Sequence, residues 1–117
     1  MIQNIKYNIM RTEVLERAID QYGLLKQTDM ATEEVGELLQ SINKLKRVTP
    51  EGVPLFSRPT KDSSIKYCLA YWGLCSEIAD VKILMYQLET MMCKEAVDLS
   101  IERKIDRLED RLNEGTY

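Results

Sequence analysis

Two short acidic runs carry whatever chemistry this sequence performs: Glu33-Glu34-Val35-Gly36-Glu37 and, further along, Glu77-Ile78-Ala79-Asp80. Carboxylates three residues apart on a helix share a face, with Cβ atoms about 5–6 Å apart. At 100° per residue, Met30, Leu38, Ser41 and Leu45 fall within about 40° of Glu34, and Ala70, Leu74, Val81, Leu84 and Leu88 within about 60° of Glu77. Both pairs therefore sit inside apolar stripes and are predicted to point inward. Two like charges 4 Å apart repel by about 4 kcal/mol at an effective dielectric of 20. Facing carboxylates must then take up protons or bind cations. For Glu33 alone a solvated helix surface is the stronger reading. Two separate pairs, each embedded in its own apolar stripe, argue against coincidence.

Ligands that are all oxygen, with no imidazole or thiolate beside them, suit magnesium or manganese rather than zinc or copper. Magnesium held by a few carboxylates completes its shell with water and substrate phosphates, so the chemistry implied is phosphate chemistry. The sequence has no histidine. That absence excludes Ser-His-Asp and Cys-His catalysis, His-ligated zinc and Glu-x-x-His di-iron bundles. Sixteen Lys and Arg against nineteen Asp and Glu leave a net charge of −3, with no basic excess to grip nucleic acid. Positive charge is nonetheless present on the last apolar-periodic stretch, where Lys104 falls between Val97 and Leu108, with Arg111 at the edge and Arg107 further round. Lys104 can snorkel out of the stripe or meet a phosphate tail. Lys44, Lys46 and Arg47 end a helix and are read as complementing its dipole.

The elements that must position these residues are helical throughout. The chain of 117 residues is read as a single domain spanning 1–117, with ordinary apolar (44%) and charged (30%) fractions. Val14, Leu15, Ala18, Ile19 and Tyr22 mark a first helix ended by Gly23. Thr28 or Asp29 is expected to cap a second helix running to about Arg47, and Asp62 or Ser63 a third running to about Met92. Val97, Ile101, Ile105, Leu108 and Leu112 place a fourth. Pro50, Pro54 and Pro59 cluster in one irregular segment, about 48–62. No alternating β-branched run competes, so the expected fold is all-α, a bundle of four helices.

The third helix is apolar on two faces, with Tyr71, Trp72, Cys75, Ala79 and Tyr86 nearly opposite Ala70, Leu74, Val81, Leu84 and Leu88. Burying both calls for a second subunit, most simply by two-fold symmetry through the long central helices; packing of the extra face under the proline-rich segment is the alternative. Cys68, Cys75 and Cys93 are odd in number and form no Cys-x-x-Cys pair. With no apolar run of signal-peptide or membrane-spanning length, a soluble cytoplasmic protein that engages neither membrane nor nucleic acid is expected.

Glu33-Glu34-x-x-Glu37 followed by Glu77-x-x-Asp80 resembles the paired acidic signature of the MazG-like, all-α nucleoside triphosphate pyrophosphohydrolase superfamily. The similarity extends upstream to Gln27, after Tyr22-Gly23, in a setting that looks like phage and Gram-positive MazG-like proteins. Downstream, Lys104-Ile105-Asp106-Arg107-Leu108 looks like the basic segment of that family's last helix, so the likeness spans residues 15–112. The resemblance implies a helical core that forms a homodimer or homotetramer. It implies magnesium, replaceable by manganese, held by Glu34, Glu37, Glu77 and Asp80, and hydrolysis of a nucleoside triphosphate to a monophosphate and pyrophosphate. By position Glu33 would be a further ligand or would orient water, and Lys104 and Arg107 would contact phosphates. Two departures stand out: Ser76 precedes Glu77 where the family often has a second acid, and the spacer between the motifs is longer.

On this reading the acids hold metal that polarises the phosphates, while Glu33 or Glu37 orients or deprotonates the attacking water. Gln27, Trp72, Tyr67 and Phe56 are candidates to meet a nucleobase, the aromatics having packing as the stronger role. A non-catalytic helical module that binds a nucleotide or a protein through the same pocket is the alternative, and Ser76 is the feature that favours it. A purely structural bundle is the third reading.

Overall fold

The computed structural model describes residues 9–115. Four long helices are seen among them: α1, Thr12–Tyr22; α2, Leu24–Val48; α3, Ile65–Met91; and α4, Lys94–Glu114. No strand occurs among the described residues, and no helix there is long and apolar enough to cross a membrane.

The helix starts differ from expectation in two places. α2 begins directly after Gly23, whose φ of 90° lets the chain turn out of α1 without a loop. The expected cap Thr28 consequently lies inside the helix, its hydroxyl donating to the Leu24 carbonyl at 2.8 Å. α3 is capped by Ser64, not by Asp62 or Ser63: Ser64 Oγ accepts the Tyr67 amide at 3.1 Å. Ser63 Oγ is engaged earlier, accepting the Thr60 amide at 2.9 Å. The α2–α3 connection carries the three prolines and is fastened to α3 by the Tyr67 hydroxyl, which donates to the Ser57 carbonyl.

α2 and α3 form an antiparallel pair, and the core lies between them. Leu45 is fully buried against Tyr67, Ala70 and Leu74, with Leu38, Ile42, Val48 and Tyr71 packed around it. Burying a side chain of this size is worth about 1.5–3 kcal/mol, so the cluster sets the register of the pair. α1 closes one side through Ile19, and Gln87 Nε2 on α3 donates to the Leu15 carbonyl at 3.1 Å.

α4 behaves differently. It touches only α3, and none of its residues is buried. The radius of gyration is 17.9 Å, against about 13 Å for a compact chain of this length. The second face of α3 is also open: Trp72, Cys75 and Ala79 are exposed, and the proline-rich segment packs instead on Tyr67.

Candidate functional site

The antiparallel register that places Leu45 beside Tyr67, Ala70 and Leu74 carries Glu34, three turns earlier on α2, to the middle of α3. There Glu34, Glu77 and Asp80 converge, each offering a carboxylate oxygen within 4.8 Å of the others. All three are half-buried. Oε2 of Glu34 and Oε2 of Glu77 are shielded from solvent and have no hydrogen-bond partner. A shielded acceptor left unpaired is costly, and more so when charged, so this arrangement is unfavourable unless a proton or a cation fills it.

Glu34 registers that cost. Its carboxyl is pushed up to about 7, first by desolvation, then by the negative charges of Glu37, Asp80 and Glu77, and by a hydrogen bond with Glu37. Near neutral pH the cluster thus keeps a proton that a cation would displace. The donor set fits a hard divalent ion. An ion coordinating at about 2.1 Å spans about 4.2 Å between opposite oxygens, within ordinary side-chain adjustment of the observed spacing.

The remaining expected residues are placed as follows. Glu37 lies beside Glu34 but is exposed, and it lines the adjoining cleft with Glu77. Among the described residues it is not one of the three whose oxygens meet. Glu33 is exposed on α2. Gln27 is 2% exposed, on the Glu34 face of α2 about 10 Å before it, and its Oε1 is buried without a partner. Lys104 and Arg107 are exposed on α4, and neither forms an ion pair with the acids among the described residues. Lys104 borders a separate, largely apolar cleft with Met85, Leu88, Met92, Val97 and Ile101. Tyr67 is a core residue, whereas Trp72 and Phe56 are half exposed.

Beside the acids runs an open cleft of about 700 Å3 between α2 and α3. Glu37 and Glu77 border it, and so do Lys44 and Arg47, which the sequence reading assigned to the helix dipole. The signal that would have found Lys44 is helical: Glu37, Ser41 and Lys44 fall within about 60° of one another at 100° per residue.

No protein family matches this chain, and neither does any curated protein or solved structure.

Proposed function

We propose that this protein is a magnesium-dependent nucleoside triphosphate pyrophosphohydrolase of the MazG-like kind. The observation that carries the reading is the convergence of Glu34, Glu77 and Asp80 with two buried carboxylate oxygens left partnerless. Those three residues would hold the ion, with Glu37 at its edge. Bound there, magnesium or manganese would supply Lewis-acid polarisation of the phosphates and charge neutralisation.

The chain's own residues do the rest. Water adds across the α–β anhydride, giving a monophosphate, pyrophosphate and a proton. Glu37, exposed beside the cluster, orients the water and accepts its proton; Glu33, one turn away, is the second candidate for that role. Phosphoryl chemistry needs positioning and charge more than a covalent nucleophile, so a chain without histidine is suited to it. Lys104 and Arg107 are proposed to contact phosphates when α4 is engaged in an assembly, and Gln27 to steady the acidic helix near the substrate.

A homodimer or homotetramer is part of the proposal. An accessible surface of 9513 Å2 exceeds the roughly 6,600 Å2 expected of a compact chain of this mass. Trp72 on the second face of α3 and Ile101, Ile105, Leu108 and Leu112 on α4 are among the large apolar side chains left exposed. The free thiols of Cys68, Cys75 and Cys93 suit a reducing, cytoplasmic setting.

A binding module without catalysis is the second reading, favoured by the separation of Lys104 from the acids within the chain. One assay decides between them: pyrophosphate release from a panel of nucleoside triphosphates with and without magnesium or manganese. Metal-dependent release supports the enzyme; its absence for every substrate with both metals leaves the binding module.

A further inference from the structure

The cleft beside the acids carries opposite charges along its length. Glu37 and Glu77 stand on its acidic side. Lys44 and Arg47 follow on α2, about 10 and 15 Å beyond Glu37 by helical rise. Helical side chains lean toward the N-terminus of their own helix, which here is the direction of the acids. Neither cation forms an ion pair among the described residues. The stretch between them and the acids offers amides and a hydroxyl from Gln40, Ser41 and Asn43. At about 700 Å3 the cleft is large enough for a nucleotide-sized ligand.

Two cations without carboxylate partners, aimed along a cleft toward a cluster suited to a divalent ion, match one kind of ligand: a linear polyanion with metal bound at one end. A neutral or cationic ligand would leave Lys44 and Arg47 unused. We propose that Lys44 and Arg47 form the subsite for the terminal phosphates of a polyphosphate substrate, the part that departs as pyrophosphate. This assignment rests on the pyrophosphohydrolase reading above. It gives phosphate contact to residues of the same chain as the acids, independently of α4. Arg47 supplies a fork suited to two phosphate oxygens, and Lys44 a mobile point charge nearer the metal end.

The test is calorimetric titration of the full-length chain with inorganic pyrophosphate in excess magnesium, comparing wild type, the double variant Lys44→Met/Arg47→Met, and the charge-keeping double variant Lys44→Arg/Arg47→Lys. Both positions are exposed, so the fold should survive. The thermal shift induced by magnesium alone, expected to equal that of wild type, verifies this. The methionine variant should bind pyrophosphate about 10–100-fold more weakly, as expected for losing charged hydrogen bonds, and the charge-keeping variant should recover most of the affinity. Unchanged affinity in the methionine variant, or a wild type that binds no pyrophosphate, overturns the subsite. A wild type that binds pyrophosphate through these cations yet releases none from any nucleoside triphosphate sinks the proposed activity while upholding the polyphosphate subsite. The two failures are therefore separable.

Discussion

α3 and α4 spend their charges in opposite ways. Twelve of the 21 residues of α4 are charged, yet all are exposed, and opposite signs stand side by side. Lys94 Nζ, for example, lies 3.1 Å from Asp98 Oδ2 one turn on, with both side chains about half exposed. Such surface pairs contribute little. α3 has five charged residues among 27, and two of them, Glu77 and Asp80, are half-buried against a third carboxylate. The same like-charge proximity that water would screen on α4 helps raise Glu34 to about 7 in the helical hairpin formed by the antiparallel α2 and α3. Charge density therefore says little about where chemistry sits. Charge placed where it is energetically unfavourable says more.

The largest expected effect lies in the hairpin. Glu77→Gln should lower metal-dependent pyrophosphate release by on the order of 10²–10³-fold, the scale of losing a positioned electrostatic group. If magnesium binds the folded state as proposed, it should raise the melting temperature, and the variant should blunt that rise. Equal magnesium shifts for variant and wild type, read by differential scanning fluorimetry, would remove Glu77 from the proposed metal site.

A smaller effect is expected from α4. Lys104→Met keeps the apolar stem beside Val97 and Ile101. It should leave the melting temperature nearly unchanged and lower kcat by about tenfold, with nucleotide affinity changed less. Full activity in steady-state assays would assign α4 to assembly alone and leave phosphate contact to the hairpin.

pH separates the two regions again. Glu34 titrates near 7 in the folded chain against 4.5 as a free side chain. The folded state thus holds an extra proton between those values, and metal-free stability should fall as pH rises from about 4.5 through 7. Because a cation must displace that proton, magnesium affinity should rise about tenfold between pH 6 and pH 8. Glu34→Gln should flatten the metal-free stability profile. A profile as steep in the variant as in wild type, followed by thermal melts from pH 4.5 to 8.5, would assign the titration elsewhere.

The mildest effect concerns assembly. Trp72 is 51% exposed on the second face of α3, so Trp72→Glu should disturb the chain's own core little. It should shift sedimentation toward monomer at micromolar concentration. A wild type that itself sediments as a monomer would remove the proposed assembly, whereas an oligomer unchanged by the variant would move the interface to the α4 stripe of Ile101, Ile105 and Leu112, all exposed.

What was legible in the sequence follows the range of the forces involved. Helix content, the proline-bearing connection and the inward aim of Glu34, Glu77 and Asp80 were all readable, because a period of 3.6 residues is local and needs no partner. The start of α2 was misread at Thr28 because Gly23, with its positive φ, joins two helices without a loop, and the threonine hydroxyl had a competing acceptor one turn back. Only tertiary structure decided which acids meet. Glu37 has the same spacing from Glu34 as Asp80 has from Glu77, but the register fixed by Leu45 against Tyr67, Ala70 and Leu74 leaves it exposed at the cleft. The same register puts Lys44 and Arg47 along one wall with Glu37, and the departure of α4 keeps Lys104 away. These outcomes depend on packing summed over two helices at once, which no single segment of sequence encodes.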